Sequence, residues 1–106
     1  MRDRLDFALI ERLRDVVADE PVTEAELRTL SEHAGGWART LEGQIRTSER
    51  RLGQLTADPE SSLADIADEL RRVETLRPQL AEVRSLLDGL DERAHRLRTA
   101  WLAAFR

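Results

Sequence analysis

Apolar residues recur along the chain at intervals of three and four, the period of a helix rather than of a strand. Three such runs are separated by breakers at Pro21 and at the Asp58-Pro59 pair. The first, over about residues 3–19, sets Leu5, Leu9, Leu13 and Val16/Val17 on one stripe, with Phe7 and Ile10 widening it beyond a narrow seam. A face that broad needs two partners to cover it. The second, over 24–57, opens on Thr23-Glu24-Ala25-Glu26. This is a capping box: the Thr23 hydroxyl accepts from the backbone N–H of Glu26, and the Glu26 carboxylate reaches back. Its stripe runs Leu27, Leu30, Ala34, Trp37, Leu41, Ile45, Ser48, Leu52 and Leu55, with a stutter where two four-residue steps meet at Leu41. Gly35-Gly36, just upstream, marks a bend, a break or a close helix crossing.

The third run, over 59–105, takes Asp58 as N-cap and Pro59 as its first helical residue, where a missing N–H costs nothing. Apolar positions then alternate by three and four from Leu63 to Ala104, through Ile66, Leu70, Val73, Leu76, Leu80, Val83, Leu87, Leu90, Ala94, Leu97 and Trp101. The one flaw is the doubled three-residue step Leu70-Val73-Leu76, a stammer that predicts a kink near 74–78, beside Pro78. A hairpin turning at 57–60 sets Leu41 opposite Leu76. The expected architecture is all-α: a three-helix antiparallel bundle built on a long coiled-coil hairpin, with the third helix longest and residues 1–106 forming one domain.

Charge supports that pairing, since residues 39–57 carry a net +2 and residues 58–70 a net −5. Such pairs select register more than they supply stability. At 106 residues, 41% hydrophobic and 36% charged, the chain reads as one ordered, charge-rich domain with a single core, and disordered and collagen-like classes are excluded. With no cysteine, disulfides, Cys-ligated zinc and thiolate nucleophiles are excluded. All 17 basic residues are Arg, so this lysine-free chain has no Schiff-base chemistry. Acids interrupt every apolar run, leaving neither a signal-peptide core nor a membrane span, so the expected location is the cytoplasm.

Few residues suggest chemistry. Glu92-Arg93-Ala94-His95 spells the E-x-x-H of di-iron bundles, but there is no second copy, His33 directly follows Glu32, and the stripe turns Glu92 and His95 toward solvent. No metal or other cofactor is expected. Arg71/Arg72 and Arg93/Arg96/Arg98 could grip phosphate. The acidic balance and the lack of interleaved aromatics instead favour a solvated face and argue against nucleic-acid binding.

In length and class the chain resembles three-helix chorismate-mutase-like proteins, which implies an Arg-lined anion pocket for a dicarboxylate. That family's site also uses a Lys, which this chain lacks. Small secreted helical hairpins with a Trp-x-Gly turn are a second comparison. Here the order is Gly36-Trp37, away from the turn, and the C-terminal Tyr is missing. The expected function is non-catalytic: a protein-interaction or assembly module that acts through helix contacts and self-associates. Its expected partner-binding residues are Leu97, Trp101, Leu102 and Phe105, with Phe7 from the first helix. The alternatives are the small Arg-pocket enzyme and a nucleic-acid-associated regulatory subunit.

Overall fold

The computed structural model describes residues 2–18 and 20–105, with side chains from residue 8 onward. The side chains of Leu5 and Phe7 therefore lie outside the described residues. Three helices are present, α1 (Arg2–Val17), α2 (Glu24–Ala57) and α3 (Leu63–Ala104), and there is no strand among the described residues. The molecule is elongated, 70 × 26 × 17 Å. Its length is that of α3, whose 42 residues span about 63 Å.

Local chemistry sets the boundaries. Helix α1 stops at Val17, where Ala18 N donates to Arg14 O at 2.9 Å and Glu20 N to Asp15 O at 3.1 Å, the bonds of a C-terminal cap that Pro21 then prevents from continuing as helix. Half of the predicted capping box is present. Thr23 Oγ1 accepts from Glu26 N at 3.1 Å, while the Glu26 carboxylate, instead of reaching back, accepts from Arg12 Nε of α1 at 2.7 Å. An interhelix cation draws that carboxylate away from the cap.

Helix α3 starts four residues later than expected. Asp58 is the C-cap of α2 and the first residue of a turn, with Glu60 N donating to its Oδ1 at 2.9 Å and Ser61 N to its carbonyl at 3.1 Å. Asp-Pro serves equally well as positions i and i+1 of such a turn, so the dipeptide did not mark a helix start. Ser62 is the N-cap, accepting from Ala64 N at 3.1 Å and Asp65 N at 3.3 Å. The longer connection moves the pairing register. Arg51 meets Glu69 at 3.1 Å, Glu49 meets Arg77 at 3.3 Å and Glu42 meets Arg84 at 2.7 Å, so α2 and α3 run antiparallel. The Leu41 level of α2 thus lies further along α3 than the expected Leu76.

The core gathers Leu13 and Val16 of α1, Leu27, Leu30, Ala34, Ala38, Leu41 and Ile45 of α2, and Leu80, Val83 and Leu90 of α3. Two details of the stripes change. On α2 the small Ala38 occupies the seam and Trp37 packs from the flank, which moves the doubled four-residue step upstream to Leu30-Ala34-Ala38. On α3 the buried residue is Glu69, 5% exposed, and not Leu70, which is exposed. With Glu69 in the seam, the three-four alternation through Val73, Leu76, Leu80 and Val83 is unbroken, so the stammer disappears. The Glu69 carboxylate sits against Arg51 and, at 3.5 Å, Arg72, with Oε2 buried and lacking a hydrogen-bond partner. Helix α3 is continuous through Pro78.

The close helix crossing is at Gly89, not at Gly35-Gly36. A Cβ at Gly89 would come within 2.9 Å of Val17 Cγ2, whereas Cβ atoms at Gly35 and Gly36 would meet only the Arg39 guanidinium, at 3.6 and 3.8 Å. Opposite outcomes are therefore expected in urea unfolding. Gly35→Ala and Gly36→Ala should each raise stability by up to about 1 kcal/mol through helix propensity. Gly89→Ala should lower it by about 1 kcal/mol, because the overpacking exceeds the same propensity gain.

Candidate partner-binding groove

Toward the end of the molecule where α3 terminates, a groove of about 780 Å³ lies between α2 and α3. Its floor is apolar, built from Val22, Leu27, Ala94, Leu97, Trp101 and Leu102. Its rim carries Glu24 and Asp91 beside Arg28 and Arg98, one acid for each arginine. This is the segment singled out from sequence. Leu97 is 41% exposed, Trp101 62%, Leu102 59% and Phe105 73%, with the Trp101 and Phe105 rings 4.6 Å apart between centroids. The fifth residue of that set, Phe7, has its side chain outside the described residues.

Helix periodicity explains why the groove is open. Helix α1 touches α2 at Glu26, through Arg12, and touches α3 at Glu82 through Arg14, at Gly89 through Val17, and at Arg93 through Val16. At about 100° per residue these positions lie roughly half a turn around their helices from Arg28, Asp91 and Arg98. One flank of the hairpin is covered by α1 and the other is bare. Beyond Ala94 the apolar stripe of α3 turns off α2, and Leu97 and Trp101 face solvent.

Of the two basic clusters, Arg71, Arg72, Arg96 and Arg98 are exposed as expected, and one member is reassigned. Arg93 is buried and donates through Nη1 to the carbonyl of Val16, one of the last backbone acceptors of α1, so it tethers α1 to α3 rather than lying on a solvated face. No pattern of apolar positions could have revealed this. Arg71 pairs with Asp68 at 2.6 Å and Arg72 with Glu69. Glu92 and His95 are both exposed, and among the described residues no cluster of three or more His, Asp or Glu side chains is arranged to hold a metal ion. No helix among the described residues is long and apolar enough to cross a membrane. No protein-family model, curated protein or solved structure matches the chain.

Proposed function

We propose that the chain is a non-catalytic assembly module that works through helix-helix contact and associates with itself through the end of α3. The reading is carried by the exposed cluster of Leu97, Trp101, Leu102 and Phe105 on the bare flank of the hairpin. At the fractions exposed there, the two aromatics alone leave on the order of 250 Å² of ring surface in water. With the leucines, the patch reaches the size that marks interaction sites on soluble proteins. The balanced rim favours a protein surface over an anionic substrate, since its two arginines are matched in number by two acids.

Sedimentation equilibrium tests the reading. At tens of micromolar the intact chain should weigh more than its 12.1 kDa monomer, and Trp101→Ala should shift it toward that monomer. An intact chain that stays monomeric and is indifferent to the substitution removes self-association.

A further inference from the structure

We infer that the bare groove is filled by the same stretch of α3 from a second copy, the two molecules pairing antiparallel about a twofold axis that passes α3 between Ala94 and His95. This rests on the self-association proposed above and names its geometry.

Three observations converge on a second copy as the occupant. The first is position: with α1 on one flank of the α2–α3 hairpin, the groove on the other flank is where a further helix completes a bundle, and two hairpins facing each other supply it mutually. The second is charge. Asp91 and Arg98 are exposed, lie two turns apart on the groove side of α3, and have no ion-pair partner within the chain among the described residues. A twofold axis between positions 94 and 95 sets Asp91 against the second copy's Arg98 and, by the same operation, Arg98 against the second copy's Asp91. Both charges are satisfied at once, which is the self-complementarity that an isologous interface requires. Ala94, small and half-buried, sits at the crossing and lets the helices approach, while Leu102 falls opposite the second copy's half-buried Leu87.

The third observation is area. The axis makes residues 84–105 of α3 overlap between copies, a stretch of about 33 Å. Over a face two helices wide, each about 10 Å across, this presents on the order of 700 Å² per copy. Standard stable interfaces bury about 600–1,000 Å² per partner, a range that contains this overlap.

A charge-swap series read by sedimentation velocity tests the geometry. Asp91→Arg alone and Arg98→Asp alone each place like charges opposite one another twice, and each should raise the dimer dissociation constant at least about tenfold. Mixing the two variants should restore dimers, now of mixed composition, and so should the double variant carrying both changes. Both positions are exposed, so the circular dichroism of every variant should match the parent's, and their urea midpoints should coincide with the parent's at protein concentrations low enough that the parent is itself monomeric. As a second readout, Ala94→Cys in this cysteine-free chain should form an intermolecular disulfide under mild oxidation. Parent dimers that ignore the single reversals, or mixtures that fail to recover, overturn the antiparallel pairing while leaving self-association intact. A parent chain that is monomeric up to hundreds of micromolar overturns both, and leaves the groove to a helix of another protein.

Discussion

Leu90→Ala is expected to lower the stability of the folded chain by about 3 kcal/mol, the cost of a truncated leucine whose surroundings cannot collapse around the void. Leu90 is 1% exposed and lies between Gly89, against which Val17 packs, and Arg93, which holds Val16. It therefore belongs to the level where all three helices meet. A domain of this size is typically stable by about 5–15 kcal/mol, so the loss is a large fraction of the total. Leu63→Ala is the control: the same chemistry at an exposed position should change the urea midpoint by no more than about 0.5 kcal/mol. Equal effects at the two positions would contradict the packing described for α3.

Arg93→Ala should cost about 2–3 kcal/mol for a different reason. The guanidinium is buried and donates to the Val16 carbonyl, so its removal leaves an acceptor at the C-terminal end of α1 without its donor and opens space where the long side chain packed. Arg93→Met keeps much of that packing and should recover part of the loss, whereas the hydrogen bond has no substitute. The distinguishing measurement is amide hydrogen exchange resolved by residue. Protection should fall in α1, over Leu9 to Val17, well before it falls in Leu41 or Leu80 of the hairpin. A uniform fall along all three helices would mean that Arg93 supports the whole core rather than the docking of α1.

The helices themselves were legible in the sequence because their signals are local. Thr23 and Glu24 place the start of α2 and the last Ala before Asp58 its end, and the expected 24–57 is the observed span. The expected start of α3 missed because Asp58-Pro59 has two local meanings, and Ser62 with Asp65, the truer start signal, lay only a few residues on. That slip propagated into the register, since every cross-hairpin pair depends on the turn. Glu69 was hidden for another reason. A pattern of apolar positions assigns the seam to Leu70, and only Arg51 and Arg72 arriving from two directions make it possible to bury the acid next to it. Arg93 was hidden likewise, because its partner is a backbone carbonyl on another helix, which no residue type announces.

Of the candidate surface, the exposure of Leu97, Trp101, Leu102 and Phe105 was expected because the third run of apolar positions outlasts the second. Yet Trp101 and Leu102 line the same groove as Glu24 and Leu27, so they are exposed because the stripe turns off α2 and not because α2 ends short of them. The groove itself was not legible. Its walls depend on which flank α1 chooses, and that choice is made by Arg12, Arg14 and Val17 through contacts with residues that sequence spacing alone had set facing solvent.

The two tips of this 70 Å rod differ in character. At the hairpin bend Asp58, Glu60, Asp65 and Asp68 are exposed, and residues 58–70 contain no arginine, so two bends repel each other and Leu63 stands alone among acids. If two copies pair through their α3 ends as proposed, the acidic bends are left at the outer tips, where like charges oppose the end-to-end addition of further copies. In that arrangement the particle is a closed pair roughly twice as long as one molecule, less the overlap, and not a fibre.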